Sequence, residues 1–290
     1  MDEIHCLKNH SKLLWVKDTD RLMPDRETIK TNTVKIYKGI YFCFYDQKLE
    51  ILFKPHYYFN NDLHNANDFT VADFLAILFE LKAELGFDYS KMRVMNIEFG
   101  VNVLSPINVK DLVNHIKYHV KNPFINHNGL RYSKFASSCN RYGKLNLFKI
   151  IKAYAKGSQY PKYIEPDTFR FEIKSNRTAY IKKHLKVNTM EDLLTKEVYA
   201  LMAKHILKEF NAVLILDPYA KPQLSIRERK ILSELLNPDT WYHISNSENR
   251  NKFSRKRRKY LELIGREDEN LKAVLTQRIK SKLELLLKGI

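Results

Sequence analysis

Two stretches near the middle of the chain alternate polar and apolar residues with the two-residue period of a strand. They are Lys149-Ile150-Ile151-Lys152-Ala153-Tyr154-Ala155-Lys156 and Phe169-Arg170-Phe171-Glu172-Ile173. Side chains on a strand alternate between its faces, so Tyr154 and Lys156 share one side of the first, and Arg170 and Glu172 one side of the second. Met92 to Leu104 repeats the pattern, with Ile97, Phe99, Val101 and Val103 pointing one way and Glu98, Gly100 and Asn102 the other. Residues 12 to 17 read as a first strand. A denser β region runs from about Thr33 to Tyr58, with turn points at Lys38-Gly39 and Asp46-Gln47.

Helical spacing takes over where Phe69, Ala72, Leu75, Ala76, Phe79 and Ala83 recur, predicting a helix to about Leu85 that stops at Gly86. Asn108 through Lys121 predicts a second, with Val109, Leu112, Val113 and Ile116 inward. Pro123 to Gly143 reads as irregular or hairpin-like. Thr178 to His184 and Met190 to Phe210 read as helices, with Val213 to Leu216 a short apolar strand or helix extension. The stretch Asp217-Pro218 to Pro222 is the best domain boundary. Beyond it, Ser225 to Leu236, Asn249 to Ile264 and Asp268 to Leu287 are helical by pattern. The expectation is an α+β fold with split β-α-β units on one sheet, residues 1–217 forming the main domain and 218–290 a helical region.

Composition sharpens this. The chain has 290 residues, 44% of them hydrophobic, which argues for a folded globule. Its 50 Lys and Arg against 33 Asp and Glu leave a net charge of +17, so a polyanion is the expected partner, and nucleic acid before an anionic membrane. Charge is densest in Arg250, Lys252, Arg255, Lys256, Arg257, Arg258 and Lys259, seven basic residues in ten, with Phe253 and Tyr260 interleaved. Such a helix is dense enough to contact several phosphates; the plainer reading is a solvated basic face.

Cys6, Cys43 and Cys139 have no CxxC spacing, which suits a reducing interior and offers no zinc or disulfide framework. The start, Met1-Asp2-Glu3-Ile4-His5, has the wrong charge for a secretory signal, and no apolar run approaches membrane-spanning length, so a cytoplasmic protein is expected. Neither GxxxxGK[ST] nor GxGxxG occurs, which argues against an ATP motor or dinucleotide site.

If the polar faces of the strands coincide, the surface suits cutting a phosphodiester. A phenol is a poor nucleophile at neutral pH, so something must polarise the phosphate and favour phenolate. A divalent metal does both, and carboxylates with one imidazole suit Mg²⁺ or Mn²⁺ better than zinc. Attack leaves the tyrosine joined to a DNA end and keeps the bond's energy, so the break can be resealed without ATP. The candidates are Glu98, Tyr154 with Lys156, and Arg170 with Glu172, with His56 and His64 placed to approach the same face. Each also has an ordinary explanation: a packed strand tyrosine, an Arg170–Glu172 surface ion pair, a loop histidine before a helix.

At these residues the chain resembles the replication initiators encoded by gene II of filamentous phages, and more distantly the rolling-circle initiators of small plasmids. The matching features, in order, are His64-Asn65 before a helix, Asn96-Ile97-Glu98 in a strand followed by a proline and a helix, Ala153-Tyr154-Ala155-Lys156, and Phe169-Arg170-Phe171-Glu172-Ile173-Lys174 before a helix. They cover about residues 48 to 200. The resemblance implies an antiparallel central sheet with helices on one face, and a metal-dependent, site-specific single-strand DNA endonuclease and ligase that starts rolling-circle replication. It implies Tyr154 as the nucleophile forming a 5′-phosphotyrosine link, Lys156 and Arg170 in support, and Glu98, Glu172 and His64 holding Mg²⁺ or Mn²⁺. Implied partners are single-stranded or supercoiled origin DNA and a host helicase. The chain departs from the wider superfamily in having no His-hydrophobic-His triplet, and Glu98 stands where Asp is common. The basic C-terminal helices, outside the resemblance, read as a DNA-docking appendage. The alternatives are a non-catalytic DNA-binding protein (an origin binder or a repressor), and a transposase or relaxase using the same chemistry. Tyr160 is the substitute nucleophile.

Overall fold

The computed structural model describes residues 3–8, 23–27, 33–45, 48–139, 142–247, 249 and 251–288. In chain order, strands β1 (Glu3–Lys8), β2 (Met23–Glu27), β3 (Thr33–Tyr37), β4 (Ile40–Tyr45) and β5 (Lys48–Phe53) lead to the short helix α1 (Pro55–Phe59) and to α2 (Val71–Leu85). Then come β6 (Arg93–Leu104), α3 (Val109–His115), β7 (Ile116–His119), β8 (Asn122–Pro123), β9 (Ile125–Asn126), β10 (Ser133–Ala136), β11 (Ile150–Ala155), the turn α4 (Lys156–Gln159) and β12 (Thr168–Ser175). The remainder is α5 (Thr178–Tyr180), running into a π-helical turn over Ile181–Leu185, then α6 (Lys196–Asn211), β13 (Val213–Ile215), α7 (Ile226–Leu236), α8 (Pro238–Ser245), α9 (Lys252–Ile264) and α10 (Leu271–Leu286). The fold is α+β. Among the described residues, ten strands form one antiparallel sheet in the order β2-β3-β4-β5-β1-β6-β12-β11-β10-β9, and β13-β7-β8 form a second.

Local signals explain several boundaries. Thr70 and Asp73 form a reciprocal capping box at the start of α2, and Gly86 ends it in the left-handed region at φ 63°. Lys38 (φ 45°) and Gly39 (φ 75°) make the two-residue turn between β3 and β4, whose twist requires positive φ at both positions. The strand expected at 12–17 and the turn expected at Asp46-Gln47 lie outside the described residues. Two expectations are corrected. The helix predicted to Lys121 ends at His115, because Ile116 to His119 pair with Val213 to Ile215 as a strand. The β region predicted to reach Tyr58 gives way to the turn of helix begun by Pro55.

The core lies on one side of the large sheet. Ile97, Phe99, Val101 and Val103 of β6, Ile151 and Ala153 of β11, and Phe169, Phe171 and Ile173 of β12 are buried with the apolar stripes of α2, α3, α6 and α10. Phe171 meets Phe210 of α6 edge-on at 5.2 Å. A second cluster gathers Tyr118, Leu214 and Leu216 with Leu235, Trp241, Phe253 and Tyr260 of α7, α8 and α9. Asp217 ties the two clusters: its carboxylate accepts from Leu271 N at 2.6 Å and its own N–H donates to the Tyr260 hydroxyl at 2.8 Å. After α9 the chain turns back, and Leu271, Leu275, Ile279 and Leu283 of α10 join the main core. Among the described residues no helix is long and apolar enough to cross a membrane.

One buried polar group braces the core. Glu209 of α6 accepts from Lys149 at 2.7 Å and pairs with His119 at 2.8 Å. Burial alone would raise its pKa, but these hydrogen bonds outweigh burial and hold it at about 2.

Candidate active site

The register of β6, β12 and β11 brings the polar positions to one face. Tyr154 lies opposite Arg170 and Arg170 opposite Asn102; Lys152 lies opposite Glu172, Glu172 opposite Gly100, and Lys174 opposite Glu98. Directly opposed residues in an antiparallel pair share a face, so the phenol, three cations, two carboxylates and an amide project together. Gly100 makes room for this. A Cβ there would stand 2.5 Å from Glu172 Cγ and 2.6 Å from the Phe171 carbonyl oxygen.

The Tyr154 hydroxyl donates to Glu172 Oε1 at 2.6 Å, and Arg170 Nε donates to the same oxygen. Arg170 Nη1 donates to Asn102 Oδ1 at 2.9 Å, and Asn102 Nδ2 to the Ala66 carbonyl at 2.6 Å. Lys156 opens α4 rather than ending β11, yet its ammonium still lies 5.6 Å from the Tyr154 ring centre and donates to Asn65 Oδ1 at 2.6 Å. The segment Asn65-Ala66 is thus fastened over the site at two points. Tyr154 is 7% exposed, with the Glu172 carboxylate on its hydroxyl and the Lys156 ammonium over its ring.

Glu98 reaches the same face with its own partners. Lys152 Nζ is 2.5 Å from Glu98 Oε1 and 3.5 Å from Glu172 Oε2, and Lys174 Nζ is 3.1 Å from Glu98 Oε2. Burial first, and then the Glu172 carboxylate, raise the Glu98 pKa to about 7 against the pull of the two lysines. Near neutral pH the Glu98 carboxyl is therefore only partly ionised.

His64 stands apart from the two carboxylates. Its ring lies 3.9 Å from that of Tyr163, its Nδ1 accepts from Ala66 N at 3.3 Å, and burial followed by the Lys156 charge keep its pKa below the usual imidazole value. His56 is buried, stacked on Phe69 and bonded to Asn67 Oδ1 at 2.8 Å. Among the described residues no three His, Cys, Asp or Glu side chains gather as a metal cage. The set Glu98, Glu172 and His64 therefore does not fit a three-ligand Mg²⁺ or Mn²⁺ centre, and an ammonium occupies the space between its two carboxylates. Tyr160, the substitute nucleophile, shares a hydrogen bond with the Tyr57 hydroxyl and places its ring 4.6 Å from Lys156 Nζ.

Lys152, Asn65 and Asn102 escaped the sequence reading. Lys152 carried a signal, since it stands two residues before Tyr154 on the same face, and Asn102 shares the polar side of β6 with Glu98; Asn65 stood beside His64 in the matched pair with no role assigned to it.

In the basic helix, Lys252, Arg255 and Arg258 of α9 are exposed, while Lys256, Arg257 and Lys259 are half-buried. Lys252, Arg255, Lys256 and Lys259 line one cleft of about 590 Å³ beside α7. Arg257 turns back to the Asn211 carbonyl at the end of α6. Arg250 lies outside the described residues. Phe253 and Tyr260, expected as interleaved aromatics, are both buried in the second cluster.

The paired acids set a pH dependence. Between about pH 2 and 4.5 the folded Glu209 is ionised while the unfolded chain holds that proton, so stability rises with pH and is lost as pH falls. Between about 4.5 and 7 the folded Glu98 keeps a proton that the unfolded chain releases, so stability falls as pH rises. Urea melts of Glu98→Gln should lose the second decline, worth at most about 3 kcal/mol at 1.36 kcal/mol per pKa unit. An unchanged slope between pH 4.5 and 7 would assign that proton elsewhere.

Neither the family models nor the curated proteins searched contain a match to this chain. Among solved structures it is similar to a rolling circle replication initiator protein from Geobacillus stearothermophilus, at 10% sequence identity and a TM-score of 0.43, over 72% of this chain and 83% of that one.

Proposed function

We propose that this chain is a DNA-nicking replication initiator that joins itself to the cut strand through Tyr154. The observation that carries this reading is the Tyr154 hydroxyl donating to Glu172 Oε1 at 2.6 Å, with a guanidinium on the same carboxylate. A phenol paired with a buried base is the arrangement an activated nucleophile needs. Tyr154 Oη attacks phosphorus as its proton passes to Glu172, and the 3′-oxygen leaves, taking up a proton from water to become the 3′-hydroxyl. A phosphotyrosine link to the 5′ end remains. Arg170 and Lys156 face the charge that builds on the phosphoryl oxygens, an effect largest where water is excluded. A phosphate oxygen takes the place of Asn65 Oδ1 on Lys156. Return of the 3′-hydroxyl reverses these steps and reseals the strand.

The test is a covalent protein–DNA band on a denaturing gel, formed with single-stranded DNA in Mg²⁺, in Mn²⁺ and with a chelator present. Tight DNA binding with no band in any of these conditions favours the second reading, a DNA-binding protein that does not cut. That reading draws on the exposed basic residues of α9, which both readings assign to phosphate contacts. Replacing Lys252, Arg255 and Arg258 with alanine should weaken duplex binding at every sequence. It should also flatten the log–log salt dependence by about 0.9 for each phosphate contact removed. An unchanged slope would show that α9 faces away from DNA.

A further inference from the structure

At the end of β6 a cleft of about 760 Å³ opens between the loop carrying Ala66 to Asp68, the segment around Tyr163 and one face of α10. Its volume falls within the range of small-ligand pockets. Three large apolar side chains line it while remaining open to solvent: Leu104 at 51%, Tyr163 at 46% and Leu285 at 45%. Scattered exposed apolar residues need no explanation, but three in one concavity mark a binding surface.

The polar groups in the cleft narrow the ligand class. Gln277 presents an amide and Ser281 a hydroxyl, suited to the edge of a planar heterocycle, while the amide of Asn102 is taken up by Arg170 and the Ala66 carbonyl. Arg278 and Lys282 stand one turn apart on α10. Arg278 is held by the Leu104 carbonyl at 2.8 Å and Lys282 by Asp68 at 2.8 Å. An aromatic ring with aliphatic neighbours, the Gln277 amide and Ser281 hydroxyl on the facing wall and two cations beside them match a nucleotide: base on the ring, edge on the amide and hydroxyl, phosphate on the cations. Duplex DNA hides its base faces by stacking, so the match is to an unpaired strand.

Asn102 ties the cleft to the reacting groups. The side chain that lines the cleft also accepts from Arg170, which meets Glu172 beside the Tyr154 hydroxyl. We propose that this cleft holds an unpaired nucleotide neighbouring the scissile phosphate, with α10 as its wall. The assignment rests on the strand-cutting reading for which phosphate is the neighbour, and on the cleft alone for the ligand class.

Two variants that avoid the reacting groups test it. Ser281→Trp fills the cleft from an exposed position, and Tyr163→Ala removes the stacking ring. Fluorescence anisotropy with a labelled single-stranded oligonucleotide should show each weakening binding by roughly tenfold, as expected for loss of one base–aromatic stack. Ultraviolet crosslinking of a 5-iododeoxyuridine-substituted oligonucleotide should label Tyr163 or the peptide 277–285. Tyr154→Phe should keep the crosslink while losing the covalent band. If wild type forms no band yet both cleft variants lose affinity, the cutting reading fails and the nucleotide site stands. Full affinity in both variants, or crosslinks confined to α9, would overturn the proposal.

Discussion

Tyr154→Phe should abolish the covalent protein–DNA band proposed for this chain while the protein remains folded and still binds single strands. The substitution removes only the hydroxyl that donates to Glu172. Losing a buried hydrogen bond to a charged group costs about 2 kcal/mol of stability, which a urea melt can resolve and a domain of this size can tolerate. The proposed chemistry, by contrast, would lose its nucleophile outright. Tyr160→Phe is the control, because its hydroxyl is bonded to Tyr57 rather than to a carboxylate and its band should persist. Should the band survive Tyr154→Phe and vanish in Tyr160→Phe, the nucleophile sits on the turn after β11 and the role of Glu172 must be reassigned.

Glu172→Gln should be the more damaging change to the fold. Glu172 is buried and faces both Arg170 and Lys152, and the substitution leaves those cations without their shared anion. Breaking a buried ion pair from one side costs about 3–5 kcal/mol, a drop in melting temperature on the order of 10 °C for a chain of this length. The covalent band should vanish as well, since the amide cannot take the phenol's proton. A variant as stable as wild type that still nicks would remove Glu172 from both roles. Tyr154→Phe and Glu172→Gln should thus separate two effects: both should lose the band, and only the second should lose a large share of its stability.

The central strands were legible because their alternation is clean. A period of two was enough to place Glu98 on the polar side of β6, and Tyr154, Arg170 and Glu172 on those of β11 and β12; that these sides coincide follows from the register, which pairs Tyr154 with Arg170, Lys152 with Glu172 and Lys174 with Glu98. The stop of α2 was also readable, from Gly86, which the structure holds in the left-handed region. What failed to show depends on distant partners. Ile116 to His119 fit a helical stripe as well as a strand, and only pairing with Val213 to Ile215 decides between them. Asn65 is brought to the site by Lys156, ninety-one positions along the chain. The distance of His64 from the carboxylates follows from its packing on Tyr163, which no spacing encodes. Phe253 and Tyr260 were readable in principle, since residues seven apart share a helix face, and that face turned inward.

The return of the last helix to the sheet bears on how this polypeptide can be divided. A fragment stopping after Asp217 would strip away Leu271, Leu275, Ile279 and Leu283 and leave a raw apolar seam along β6. Such a piece should self-associate on a sizing column rather than run as a monomer. The basic tail is therefore no detachable module: whatever pulls on α9 pulls on a chain whose far end is sewn into the main core.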